Sequence, residues 1–316
     1  VPRRWVPHTQ TQRCGVLATN CLPLARCYLD IPPPNLRVQF FSRRPQHASP
    51  LRMSLPPSID NQGLASTPTT LYASWFCPYA QRIWIALEEK RVAYCYVEIN
   101  PYETAADGGD TKTSLSLDEK RRRYPKWIEC SPRGLVPALD DGGVGVADSM
   151  VCLEYLEEVY SDQPLLPGPP SGRARLRFWA VYANEKIIPH YYRLLMSQDT
   201  EGRERARAGL DDGLSEFARQ MDPTGPYFTG DQFTWADLAL APWYERLRTV
   251  AAAYRSFEMP VDGVVTARLD RWYEAVRARP SVAATLANEA ELVRNYAGYA
   301  DDSATSDASR QFRGAV

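Results

Sequence analysis

A strand-forming run, Leu71-Tyr-Ala-Ser-Trp-Phe, stops at Cys77-Pro78, and a helix-forming run opens at once with Tyr79-Ala80-Gln81-Arg82. Few features limit a fold more than a cysteine at such a junction. Proline suits the first turn of a helix, where its missing N–H is not needed, so Cys77 is expected at the N-cap of a helix running from Pro78 to Lys90. There it would face unpaired backbone N–H groups and the positive end of the helix dipole, which favour a thiolate over a thiol. The motif is Cys-Pro-Tyr-Ala, with no second cysteine three residues on to close a disulfide. A reactive Cys77 therefore needs a thiol from outside the chain. The competing reading is an inert buried cysteine, since free cysteine often packs as a small hydrophobe.

The surrounding pattern continues the theme. Thr69–Ser74 and Ala93–Asn100 read as strands flanking the helix, a βαβ unit. Within that helix Ile83, Ala86 and Leu87 share an inward face, and Arg82, Glu88 and Glu89 are assigned to water. A polar segment with Gly108-Gly109 leads to a charged helix near Asp118–Glu129, whose Lys120-Arg121-Arg122-Arg123 run reads as a solvated face in preference to an anion site. The run Ser131-Pro-Arg-Gly134-Leu135-Val136-Pro137-Ala138-Leu139, then Asp140-Asp-Gly-Gly143, then Val144-Gly-Val-Ala147 reads as two short strands joined by a Gly-containing turn, a hairpin. Pro137 stands at its mouth, where it cannot serve a central ladder. A cis Val136–Pro137 peptide there would leave the Val136 N–H and C=O free to bind a ligand. Ser149 is expected to cap a helix over Met150–Tyr160, with Cys152, Leu153, Leu156 and Tyr160 inward and Glu154, Glu157 and Glu158 outward. Its start is a natural carboxylate site.

Proline density over 161–171 marks a boundary between an α/β half, 67–160, and an all-α half, 172–300. Helices are expected over Gly172–Ser197, kinked at Pro189, then over Thr200–Gln220, Trp235–Tyr254 and Asp262–Ala278. Thr234 and Asp237 have the spacing of a capping box with Phe233 as a staple, a folding role. Residues 301–316 are small and polar and are expected to be a flexible tail.

Composition excludes several classes of function. No stretch reaches the roughly 18 to 20 apolar residues that span a bilayer. The net charge of −1 conceals eight Arg, no Lys and one acidic residue in 1–52, a surplus of seven positive charges that leaves the rest acidic. An acidic body without a basic cluster argues against nucleic acid. The cysteines at 14, 21, 27, 77, 95, 130 and 152 lack paired spacing, which fits reduced thiols and no metal, because Cys14, Cys21 and Cys27 have only His8 as a poor fourth ligand. The stretch 1–66 reads as a disordered extension. Its Arg-rich, acid-poor start has transit-peptide texture, while the start at Val1 and Met53 just ahead of the body make a fragmentary precursor or an untranslated, over-extended reading equal alternatives. A cytoplasmic location is expected, with mitochondrion or plastid as the alternative if 1–52 is a targeting arm.

Taken together, the cysteine at a strand–helix junction, the Val-Pro hairpin, the Asp148-Ser149 helix start and the helical second half resemble the cytosolic glutathione transferase superfamily over about residues 68–298. Cys77–Arg82 looks like the omega class, which uses cysteine where other classes use tyrosine or serine, and Ala241-Pro-Trp-Tyr-Glu-Arg-Leu247 is similar to that class's sixth helix. The resemblance implies a thioredoxin-like domain (βαβ-α-ββ-α, mixed sheet with a cis-proline) before the helical domain, with glutathione as co-substrate and a homodimer. It further implies that Val136 and Pro137 meet the cysteinyl unit of glutathione, that Asp148 and Ser149 hold the γ-glutamyl end, and that Tyr79 lines the groove. The family's Lys-Pro-x-Trp pattern stands here as Tyr124-Pro125-Lys126-Trp127, so Arg123 or Lys126 would replace the lysine expected at the glycyl carboxylate. Asp148 is one methylene shorter than the glutamate usual in the omega class. Trp179, Tyr182 and Trp272 are candidate walls of the co-substrate pocket, with helical core aromatics as the alternative.

The implied activity is thiol transfer or dehydroascorbate reduction through a Cys77–glutathione mixed disulfide. One rival is glutathionyl-hydroquinone reduction, whose family carries Cys-Pro-Trp-Ala. The other is a redox-controlled membrane or scaffold protein like the intracellular chloride channel relatives, disfavoured by the short, charged first helix.

Overall fold

A computed structural model describes residues 11–15, 37–40, 68–104, 110–259 and 263–313. Two short strands, β1 (Thr11–Gly15) and β2 (Arg37–Phe40), precede β3 (Thr69–Ala73), helix α1 (Pro78–Glu89) and β4 (Tyr94–Glu98). A small hairpin of β5 (Tyr102–Thr104) and β6 (Asp110–Ser114) leads to α2 (Leu117–Arg123) and α3 (Pro125–Cys130), and then to β7 (Ala138–Asp141), β8 (Val144–Ala147) and α4 (Ser149–Val159). The main sheet has the order β2-β1-β4-β3-β7-β8. Parallel pairing of β3 with β4 (Leu71 opposite Tyr96) and antiparallel pairing of β3 with β7 (Leu71 opposite Leu139) make it mixed. The Val136–Pro137 peptide is cis. This is the thioredoxin-like arrangement read from the sequence.

Several expectations need correction. The stretch 1–66 was expected to be disordered, yet it supplies β1 and β2 to the sheet, β1 pairing antiparallel with β4. Its remaining residues, including Cys21, Cys27 and most of the supposed targeting arm, lie outside the described residues. The helix over Asp118–Glu129 is two helices, broken at Tyr124 before Pro125, as the restriction on residues preceding proline demands. The β5–β6 hairpin was read only as a polar segment. Asp148, not Ser149, is the N-cap of α4, and its carboxylate accepts the Met150 N–H at 2.9 Å. Glu157 faces inward, because Lys90 pairs with it at 2.8 Å and the Leu165 and Leu166 N–H groups donate to it. These contacts bind the proline-rich segment to the α/β half and bury both leucines.

The second half is helical throughout: α5 (Pro170–Tyr182), α6 (Ile188–Met196), α7 (Thr200–Gln220), α8 (Trp235–Arg246), α9 (Ala252–Arg255), α10 (Gly263–Ala278), α11 (Pro280–Ala283), α12 (Glu289–Asn295), α13 (Ala297–Ala300) and α14 (Asp307–Arg313). Where Pro189 was expected to kink one long helix, a π turn at Ala183–Ile187 separates α5 from α6. A second π turn at Leu247–Ala251 follows α8. The capping box at Thr234 and Asp237 is present. The supposed flexible tail contains α14, held by buried Phe312, whose ring stacks on Tyr192 at 4.9 Å, and by Ser309, whose hydroxyl donates to the Ala304 and Ser306 carbonyls. One hydrophobic core runs from β3 and α1 through α4 into α5–α8, joining both halves. Among the described residues no helix is long and apolar enough to cross a membrane.

Candidate functional site

A cavity of about 490 Å³ opens between the two halves at the start of α1. Cys77 occupies the N-cap of that helix with extended backbone (φ −82°, ψ 118°), and Pro78 follows in the first turn. A tight turn holds it there, its N–H donating to the Ser74 carbonyl at 2.9 Å. The sulfur lies 4.0 Å from the Val136 carbonyl across the cavity. Val136 stays out of the sheet ladder, which starts at Ala138.

Behind the cysteine the helical half fixes its loop. Arg246 Nη2 donates to the Phe76 carbonyl at 2.9 Å and the Tyr296 hydroxyl donates to the same oxygen at 3.1 Å. Arg246 also reaches Gln81 Oε1 at 2.8 Å and the Pro242 carbonyl at 2.6 Å. On the other side the Lys112 ammonium lies 3.5 Å from the centre of the Phe76 ring, a cation–π contact. Burial pushes the Cys77 thiol above its ordinary value, opposed by the Ala80 N–H, the Arg246 guanidinium, the Tyr79 N–H and the Lys112 ammonium, in that order. The helix-start N–H groups act in the expected direction, toward the thiolate, but burial works against them. No close hydrogen bond to the sulfur caps the helix, and desolvation outweighs the backbone dipoles.

Of the remaining predicted residues, Tyr79, Val136, Pro137, Asp148 and Ser149 all line this cavity. Tyr79 packs edge-on against Trp243 at 4.6 Å. Beside them Arg82, expected in water, is 0% exposed. It donates to the Ala239 carbonyl at 2.6 Å and to Asn184 Oδ1 at 2.7 Å, with its guanidinium 4.3 Å from the centre of the Trp243 ring. Asp148 has positive φ (81°), an uncommon conformation for a non-glycine residue. It is exposed, while Ser149 behind it is buried.

The other expectations are not met. Arg123 and Lys126 are exposed and do not line the cavity, and Arg123 is paired with Glu119 on the outer face of α2. Lys120 and Arg133 face the cavity instead. Tyr124 turns its hydroxyl to the Asn100 N–H at 3.4 Å. Trp179, Tyr182 and Trp272 are not walls. Trp179 packs in the core among Tyr182, Phe217 and Phe228, and Trp272 is fully buried with its indole N–H donating to Asp237 at 2.8 Å. Besides Tyr79, the aromatic walls are Phe76, Tyr102, Tyr192, Tyr296, Tyr299 and Phe312. Periodicity finds helical aromatics but does not say which helix ends meet over a cleft. Among the described residues no group of three or more His, Cys, Asp or Glu could hold a metal ion.

Two family signatures match this chain: the glutathione S-transferase N-terminal domain over residues 76–159 and the glutathione S-transferase C-terminal domain over 200–275. The crystal structure of glutathione transferase Omega 3C from Trametes versicolor is similar over 77% of this chain and 94% of its own, with 31% identity and a TM-score of 0.62. Glutathione S-transferase omega-1 of Mus musculus is 26% identical over 228 residues, covering 72% of this chain and 83% of the mouse protein. Rice GST1, solved in complex with glutathione, shares the fold at 23% identity and a TM-score of 0.56, over 73% of this chain and 96% of its own. With a cysteine at the start of α1 beside a cis Val-Pro edge, and with both domains matched in order, the chain belongs to the glutathione S-transferase family and is omega-like.

Proposed function

We propose that this protein is a glutathione-dependent thiol transferase that works through a Cys77–glutathione mixed disulfide. The observation that carries this reading is the cysteine in the cavity: Cys77 lines it, whereas Cys95, Cys130 and Cys152 do not. Glutathione would lie along the Val136 edge, with its ammonium toward Asp148 and its γ-glutamyl carboxylate at Ser149 and the first N–H groups of α4. The Cys77 thiolate attacks the glutathionyl sulfur of a mixed disulfide, the S–S bond breaks, and the acceptor leaves as a thiolate that takes a proton. A second glutathione thiolate then attacks the glutathionyl sulfur bound to Cys77, releasing glutathione disulfide and regenerating Cys77. With dehydroascorbate as acceptor the two glutathiones supply two electrons and the ring takes up two protons. The Ala80 and Tyr79 N–H groups, Arg246 and Lys112 favour negative charge on the sulfur.

Conjugation of glutathione to electrophiles is expected to be weak, because a protein thiol beside bound glutathione forms the mixed disulfide in preference to stabilising a free thiolate. The decisive comparison is glutathione-dependent reduction of a small mixed disulfide and of dehydroascorbate against conjugation of a chloronitrobenzene. Cys77→Ser should abolish both reductions. Reduction that survives in that variant, or strong conjugation without reduction in the parent, sinks the proposal. We also propose a homodimer. Phe178 and Val181 on α5 and Val151 on α4 are exposed apolar side chains, and the Glu154–Arg177 ion pair bridges the two helices beside them.

A further inference from the structure

We propose that Lys112 is a positioning residue for Cys77: it holds the Phe76–Cys77 loop through the Phe76 ring and sets a buried positive charge behind the sulfur. Resting on the reading of Cys77 as the nucleophile, this role falls to a hairpin that the βαβ-α-ββ-α order does not contain. Lys112 lies on β6, in the β5–β6 pair added between β4 and α2.

The hairpin delivers the lysine inward. Lys112 has φ +57°, an uncommon conformation for a non-glycine residue and one kept only where the surroundings over-determine it. Those surroundings come from the end of the chain. The Lys112 carbonyl accepts the Thr305 N–H at 3.1 Å, the Ser114 N–H donates to the Thr305 hydroxyl at 3.2 Å, and a Cβ on Gly298 would stand 3.3 Å from Lys112 Cβ. The side chain is 1% exposed. Its ammonium donates to Asn295 Oδ1 and lies 3.5, 4.6 and 5.9 Å from the ring centres of Phe76, Tyr102 and Tyr296. Ring faces attract an ammonium through their quadrupoles, so the lysine is fixed in place by aromatic walls and an amide oxygen.

Phe76 is the residue before Cys77, and its carbonyl accepts from Arg246 and the Tyr296 hydroxyl. Lys112 therefore grips by the ring the residue that the helical half grips by the carbonyl. It does not line the cavity, so it acts through the loop and through its charge. Other charged groups face the sulfur from α1 (Arg82) and α8 (Arg246), and Asp148 at the start of α4 is a carboxylate on the cavity wall. Tyr79, Tyr102, Tyr296 and Tyr299 surround it too, and burial raises each hydroxyl and keeps it neutral. A cation near a thiolate in a water-poor site acts far more strongly than in water. It serves both halves of the proposed cycle, because the sulfur attacks as a thiolate and later leaves as one, and a lower thiol pKa speeds leaving.

The experiment compares the full chain with Lys112→Met, Lys112→Arg and Asn295→Asp. Iodoacetamide alkylation of Cys77 is followed by mass spectrometry of its peptide, without glutathione, between about pH 7 and 9. Lys112→Met should slow it about three- to tenfold across that range, and Lys112→Arg should restore it to within about twofold. Asn295→Asp separates charge from scaffolding. It keeps the shape and anchors the ammonium more firmly through an ion pair, yet offsets the charge seen by the sulfur, so alkylation should slow about threefold or more. An unchanged rate in Asn295→Asp or in Lys112→Met overturns the proposal. Should Lys112→Met fail to fold, Asn295→Asp decides alone. Turnover of bis(2-hydroxyethyl) disulfide should lose kcat in Lys112→Met with the KM for glutathione kept within about twofold, and a loss confined to KM overturns the proposal. Should the parent show no turnover, the thiol-transfer reading fails by itself, and the alkylation rates still judge Lys112.

Discussion

Cys77 is held between opposing influences, with burial raising its thiol and the Ala80 N–H, Arg246, the Tyr79 N–H and Lys112 lowering it. The sign has a direct consequence. Only the thiolate alkylates, so in the glutathione-free chain the rate of Cys77 alkylation should rise by about tenfold per pH unit from about pH 7 to 9 without levelling. A plateau reached below pH 7 would mean that the dipole and the cations win after all. Three other residues show what a residue in a sequence does not disclose. Arg82, Lys120 and Glu157 each stand on a helix where charge is normally a solvated face, and each is buried against a partner from elsewhere in the chain: the Ala239 carbonyl and Asn184, the Gly134 carbonyl, and Lys90 with the 165–166 backbone. Their partners lie up to 157 residues away, beyond the reach of a helical period.

At the level of elements, local chemistry reads well where it is self-contained. The box at the start of α8 is legible because Thr234 and Asp237 serve each other. What the box hides is that Asp237 accepts four hydrogen bonds, from the Phe228 N–H at 2.7 Å, the Thr234 N–H at 2.8 Å, the Thr234 hydroxyl at 2.9 Å and the Trp272 indole at 2.8 Å. Asp237→Ala should therefore cost about 3 kcal/mol or more, well beyond a lone cap, because buried donors lose their acceptor. Its urea midpoint, compared with that of Asp237→Asn, tests this, and a loss under about 1 kcal/mol contradicts it. By contrast α14 is illegible. Residues 301–313 have the composition of a tail, and only Phe312 on Tyr192 and the Ser309 bonds make it a wall of the cavity. The break before Pro189 was placed at the proline, whereas the helix yields one turn earlier, at Ala183–Ile187, where its ladder is freed by the missing proline N–H.

For the whole molecule, the proposed homodimer makes the exposed apolar side chains of α4 and α5 accountable. Phe178 is 57% exposed, and Phe178→Glu should convert a dimer to a monomer in light scattering while leaving the circular dichroism unchanged. A parent chain that is monomeric at micromolar concentration removes the proposal. What the sequence determined by itself was the succession of elements and their chemistry: a cysteine ahead of a proline-started helix, a Val-Pro edge, an Asp-Ser helix start and a helical second half. Those follow from backbone rules that act within a few residues. Only the tertiary structure decided which residues share the cavity. It took Trp179 and Trp272 into the core with Tyr182 packed against it, brought Arg246 and Tyr296 to the back of the Cys77 loop, and put Lys120 and Arg133 on the cavity in place of Arg123 and Lys126. Those choices depend on which helix faces pack and which charges burial can satisfy, and both are set by contacts between residues far apart in the chain.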